Sequence, residues 1–225
     1  MPLATPSGGL EELVDASSGR DVMFIPPVVD RFEDLTKKYE HFLVDKYVSQ
    51  EWLKDNVTEA LLPSDINLFL QSNHEYENDA SYNYDTGFFI SQLIQNSYTA
   101  GNNDFEFDMS LLKPVNFIAS HIFGMKKQMI RVVIAGEVGN ECGYGAGYST
   151  YTIQKASNRC GQFAEHSTFT IEEVGDECGW GSKHSTFQTH NSEQYDKFQG
   201  SVSPSEGNTI YLLAPDGSIL KGGKW

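Results

Sequence analysis

Three cysteines, each followed by glycine, stand at Cys142, Cys160 and Cys178, a constant 18 residues apart. Thiolates are soft ligands suited to zinc or an iron–sulfur cluster, so a column of three sulfurs is the first candidate for chemistry. One cysteine per unit is nevertheless not a Cys-x-x-Cys pair, and a metal site needs ligands converging from several directions. Small buried side chains filling a tight corner beside glycine explain the same spacing. Neighbouring sulfurs in stacked units would also be near enough for one disulfide and one free thiol. An odd count argues against a complete disulfide framework.

Each Cys-Gly pair is followed by one phrase: Tyr148-Ser-Thr-Tyr-Thr-Ile153, His166-Ser-Thr-Phe-Thr-Ile171 and His184-Ser-Thr-Phe-Gln-Thr189. A repeat at fixed offset signifies stacked units. Period 2 then sorts the faces, with Ser149, Tyr151 and Ile153 on one side and Tyr148, Thr150 and Thr152 on the other. The aromatic side is the expected core. The other side gives the candidate ligand or partner face: Tyr148, Thr150, Thr152, His166, Thr168, Thr170, His184 and Thr186. Stacked imidazoles could bind a metal or move protons, but no carboxylate or nucleophile stands at an offset that fixes a triad.

The Thr150-x-Thr152 and Thr168-x-Thr170 pairs resemble the ice-binding face of insect antifreeze solenoids, whose rungs repeat Thr-x-Thr. That resemblance covers two rungs, stops at Gln188, and those proteins have shorter coils. Threonine rows are also good strand surface in their own right. Asn140, Asn158 and Asp176, with Glu141 and Glu177, offer oxygen ligands for calcium. Arg159 interrupts them, and Asn or Asp before a corner supports an Asx turn. His74-Glu75-Tyr76-Glu77 lacks the second histidine of a metalloprotease helix. Gly143 to Gly147 is not followed by Lys-Ser/Thr, and no Gly-x-Ser-x-Gly elbow occurs.

The balance of 16 basic against 31 acidic residues gives a net charge of −15. Nucleic-acid binders rely on clustered Lys and Arg to release counterions, and the longest basic run is Lys126-Lys127, so no nucleic-acid partner is expected. No run approaches the ~18 apolar residues of a membrane span, and no basic segment followed by an apolar one marks a secretory leader. The expectation is a soluble, cytoplasmic protein without a cofactor and without a membrane partner.

These units need elements to hold them. Residues 1–29 read as a flexible arm. Asp30 and Glu33 form a capping box for a helix to about Val48, with Phe32, Leu35, Tyr39, Phe42 and Leu43 on its apolar stripe. Ser49 caps a second helix that stops at Pro63, and Ser64 a third through Leu70. Residues 71–85 read as a loop, and Thr86 opens a helix ended by Gly101. Phe105, Phe107, Met109 and Leu111 alternate as a strand. Pro114 starts one more helix, closed at Gly124. The register then puts Val133, Tyr151, Phe169 and Phe187 in one column and Val138, Ala156 and Val174 in another. Past His190 the pattern dissolves into polar residues, and Thr209–Leu213 with Ser218–Leu220 read as a hairpin.

A parallel solenoid, one coil per repeat, explains why identity and not only polarity recurs; an antiparallel meander needs only alternation. The predicted fold is therefore α+β. A mainly helical cap region (30–124) covers a short right-handed parallel β-solenoid of 18-residue coils with a C-terminal β-hairpin (125–225). At the level of organisation this looks like the β-helical cores of iron–sulfur assembly scaffold proteins, or the glycine-rich C-terminal domain of glutamate synthase. No motif of either family falls on a residue here. The expected function is a non-catalytic binding or scaffold protein using the repetitive face. The alternatives are metal or iron–sulfur handling through the cysteines, and an enzyme with its site between cap and solenoid, using His74, Glu75 or His121.

Overall fold

The computed structural model describes residues 31–44, 49–202 and 206–224. The expected arm, Asp30 as a cap, and the last turn of the first helix lie outside them. Helix α1 (Glu33–Val44) buries Leu35, Tyr39, Phe42 and Leu43, and Phe32 just before it is buried as well. The Tyr39 hydroxyl is 2.7 Å from that of Thr86, so this buried polar tip is satisfied. Helix α2 (Gln50–Asn56) is capped by Ser49 as expected, but ends well before Pro63. Helix α3 (Pro63–Ser72) instead starts at that proline, with Leu62 as its cap. A fixed φ and a missing N–H suit proline to the first turn better than Ser64 suits the cap.

The loop expected over residues 71–85 is shorter than that. A 3₁₀ turn spans Asn73–Tyr76, and helix α4 (Tyr82–Thr99) opens four residues before Thr86 with Tyr82 already buried. Gly101 follows in the left-handed region, φ 107°. Strand β1 (Asp104–Asp108) stops early. Asp108 accepts the Ser110 N–H in a tight turn, leaving Leu111 91% exposed.

The helix expected after Pro114 does not form. Phe117, Ala119 and His121 have φ of 56°, 52° and 50°, and a run of L-residues cannot build a right-handed helix from that region. The segment pairs with the first Cys-Gly turn instead. Phe117 donates to the Asn140 carbonyl, His121 to that of Tyr144, and Gly143 back to Ile118. Gly161 and Gly179 donate to Cys142 and Cys160 in the same manner. Ile118 thus occupies the place below Cys142 that cysteine fills in later units.

Seven strands form one sheet in sequence order. After β1 come β2 (Ile130–Val138), β3 (Ser149–Ala156), β4 (Thr168–Val174), β5 (Thr186–Thr189), β6 (Thr209–Leu213) and β7 (Ile219–Lys224). Neighbours from β1 to β6 are parallel, and only β6–β7 is antiparallel, as the final hairpin. β1 lies before residue 124 and is hydrogen-bonded to β2.

Tyr151 pairs with Phe169, and Phe169 with Phe187. The first member of the column is Val132, not Val133. A bulge between Ile134 and Glu137 restores Val138 opposite Ala156. Gly136 supplies its turn with φ 89° and donates to the Gln154 side chain at 2.9 Å. One extra residue there is invisible to a count of repeats.

Three columns hold the units together. The rings of Tyr151, Phe169 and Phe187 are buried and nearly parallel, with centroids 4.5 and 5.1 Å apart. The Ser149 N–H donates to the Ser167 hydroxyl and the Ser167 N–H to that of Ser185, each at 3.2 Å. Asn208 ends this column by accepting from the Ser185 N–H. At the opposite corner, the side-chain oxygens of Asn116, Asn140 and Asn158 accept the N–H of Asn140, Asn158 and Asp176 in turn. Asn158→Ala removes the acceptor for Asp176 and is expected to lower stability by about 1 kcal/mol in a urea titration. An unchanged midpoint would show that water replaces it.

The polar stretch after His190 forms a helix. Helix α5 (Ser192–Ser201) is capped by Asn191 and buries Gln194, Tyr195 and Phe198. Phe198 packs on Phe187, centroids 5.5 Å apart, so this helix covers the end of the ring column. Among the described residues, no helix is long and apolar enough to cross a membrane.

Candidate ligand-binding surfaces

Of the eight residues picked from the phrases, the five threonines lie in strands β3, β4 and β5, and Tyr148, His166 and His184 lie just before them. Thr150 pairs with Thr168 and Thr168 with Thr186, and the row continues to Thr209. Thr152 and Thr170 start a second row that passes through Gln188 to Tyr211. Gln188 donates to the Thr170 hydroxyl at 2.7 Å, so the side chain that breaks the threonine pattern still ties the row. Thr209 escaped the repeat count because α5 lies between it and β5.

Tyr148, His166 and His184 sit at the corner where each unit enters its strand, with φ of 48°, 52° and 49°. Their rings stack at 4.8 and 5.0 Å, within 14° of parallel. Gly207 continues the column below: a Cβ there would come within 2.6 Å of the His184 ring. Left-handed backbone costs a non-glycine residue on the order of 1 kcal/mol. Here each backbone N–H is held, Tyr148 to Glu165, His166 to Lys183 and His184 to Glu206. The outcome is a flat surface of repeated hydroxyls bordered by a stacked aromatic edge.

Cys142, Cys160 and Cys178 are fully buried and unbridged. Burial, reinforced by Cys142, pushes the Cys160 thiol well above its ordinary range. Burial likewise pushes Cys178 up to about 12. A protonated thiol out of reach of solvent is a poor nucleophile and a poor ligand. These thiols are expected to react with a maleimide only on unfolding; fast labelling of the native protein would contradict it. The same shift fixes a pH dependence. Above an ordinary thiol value of roughly 8.5 the unfolded chain loses protons that the folded chain keeps, so stability falls as pH rises from there toward about 12. Urea midpoints at pH 7 and pH 10 are the check.

His74 and Glu75 lie exposed on the 3₁₀ turn. They do not join His121, which lines a separate cleft against α2 and α4. Among the described residues, no cluster of three or more His, Cys, Asp or Glu is arranged to hold a metal ion. The carboxylates proposed for calcium face Arg159 instead, which donates to Glu177 at 2.7 Å and reaches Glu141 at 3.4 Å. That row borders a polar groove of about 390 Å³ that Tyr84 also lines.

One surface was not foreseen. His121, Tyr144, Phe163 and Trp180 form an aromatic strip across the turns, each ring edge-on to the next at 5.1 to 5.5 Å. Phe163 and Trp180 are 41% and 51% exposed. The rings alternate between two adjacent columns, and the gaps are glycines. A Cβ on Gly145 would be 3.0 Å from the His121 ring, and one on Gly181 2.6 Å from that of Phe163. Tyr144 and Trp180 stand two residues after a cysteine and Phe163 three after, so a strict 18-residue comparison sets none of them over its neighbour. An aromatic facing a glycine in the adjoining unit was the available signal.

No family model, curated protein or solved structure matches this chain.

Proposed function

We propose that this protein is a non-catalytic binding or scaffold module. On this reading, the repeat region forms a short right-handed parallel β-solenoid of 18-residue coils with the C-terminal hairpin, and a partner or ligand engages Tyr148, Thr150, Thr152, His166, Thr168, Thr170, His184 and Thr186. One observation carries it. The ring column Tyr148–His166–His184 and the hydroxyl row Thr150–Thr168–Thr186 rise side by side, like next to like, across successive strands. Parallel strands repeat at about 4.8 Å, so a ligand with a comparable period meets equivalent groups again and again. Catalysis calls for unlike groups converging on one atom. The N-terminal helices and the β6–β7 hairpin act as covers for strand edges that would otherwise invite aggregation.

The test is shift mapping of the isotope-labelled full chain against peptides, oligosaccharides and small molecules. Binding is expected to perturb residues 148–152, 166–170 and 184–188 together, and Thr168→Glu to remove it while the fold stays intact. Turnover abolished by one substitution elsewhere would overturn the reading. Zinc or iron retained after anaerobic purification would move the function to Cys142, Cys160 and Cys178.

A further inference from the structure

A cleft of about 610 Å³ lies where α2 and α4 meet the turn at Ser120–Phe123. Its size is ordinary for a small-molecule site. Leu53, Phe88 and Phe123 make its apolar walls, and Lys54, Ser120 and His121 are among its polar groups. The chain carries 31 Asp and Glu, yet none of them lines this cleft. Amides and hydroxyls supply the rest of its polar surface.

Two observations make this more than a gap between elements. Lys54 forms no ion pair with any described residue. Its charge reaches His121, which burial first and Lys54 second hold below the ordinary imidazole value. One ammonium, Lys54, thus faces the cleft with no carboxylate among the lining residues, beside an imidazole shifted toward its neutral, hydrogen-bonding form, and an anion there gains a counter-charge. Independently, the Ser120 hydroxyl is buried and has no hydrogen-bond partner. A hydroxyl left so costs about 1–3 kcal/mol, and most such groups in native proteins are satisfied. The backbone beneath is tied to α4: the Ser120 N–H donates to the Ser91 hydroxyl, and the Phe123 N–H to the Gln95 side chain at 2.7 Å. The site is built before any ligand arrives.

We propose that this cleft binds a small organic carboxylate with an apolar body, its charge toward Lys54 and His121 and its hydrocarbon part against Leu53, Phe88 and Phe123. It is a site separate from the threonine and histidine face, and either can fail alone. Shape and charge exclude the two nearest alternatives. A bare inorganic anion leaves the apolar walls wet, and a neutral apolar molecule leaves Lys54 without a counter-charge.

Phenylacetate, 2-phenylethanol and inorganic phosphate, titrated separately into the labelled full-length protein, separate these contributions. Phenylacetate is expected to give saturable shifts confined to residues 50–54, 88–95 and 120–123, and to bind more tightly than either control. Lys54→Met, at an exposed position that does not disturb the fold, should weaken phenylacetate about tenfold. Lys37→Met, remote in α1, should leave it unchanged. No saturable binding, shifts mapping elsewhere, equal affinity for 2-phenylethanol or phosphate, or indifference to Lys54→Met would each overturn the assignment.

Discussion

Replacing Phe169 with alanine is expected to destabilise the protein by about 3–5 kcal/mol, the range for emptying a buried aromatic position. The ring is fully buried. It lies 4.5 Å from Tyr151 at 3° and 5.1 Å from Phe187 at 5°, so one truncation removes both neighbours' contacts. Tyr151 cannot slide into the space without giving up its hydrogen bond to the Ala119 carbonyl at 2.7 Å. Domains are stable by only about 5–15 kcal/mol in total, and the urea midpoint should fall steeply with little change in slope. Phe163→Ala, on the exposed strip, is the matched control and should cost under about 1 kcal/mol. Similar losses for the two would show that the inner rings do not form one continuous core.

The second expectation reverses a local rule. Gly87 lies inside α4, where alanine is favoured over glycine by about 1 kcal/mol. Considered as an isolated helix, Gly87→Ala stabilises. In the folded chain a Cβ there would sit 1.8 Å from the Asn116 carbonyl oxygen and 2.9 Å from two backbone carbons. Backbone cannot step aside as a flexible side chain does. The helix and the 115–120 segment are also fastened next to this contact, since Ser91 donates to Phe117 and accepts from Ser120. The substitution is therefore expected to cost roughly 2–3 kcal/mol, the usual scale of overpacking. For a chain of this size that lowers the melting temperature by about 2–4 °C per kcal/mol. A raised melting temperature would mean that α4 is not seated on that turn.

The two substitutions separate what was legible from what was not. The column of Phe169 could be read directly, because parallel strands in constant register set each residue beside its counterpart. Selection for good stacking then writes the same residue type at a constant interval. The sorting of Ser149, Tyr151 and Ile153 inward followed from period 2 alone, and all three are buried. Gly87 was opaque, because its neighbour Asn116 is remote in sequence and belongs to a unit with no cysteine to announce it. The aromatic strip was opaque for a related reason: its members alternate columns so that rings face glycines.

What the linear order determined by itself is the periodic part: parallel rows, an inner aromatic side, an outer threonine side, buried thiols and a closing hairpin. Contacts between like residues at constant separation leave a trace that can be counted. Tertiary structure alone decided the rest: Ile118 standing where cysteine stands elsewhere, the bulge at Gly136, α5 lying between β5 and β6, and the cleft where Lys54 meets His121. Each joins unlike residues at irregular separation, or depends on a backbone conformation that several residue types can adopt, and neither leaves a period in the chain.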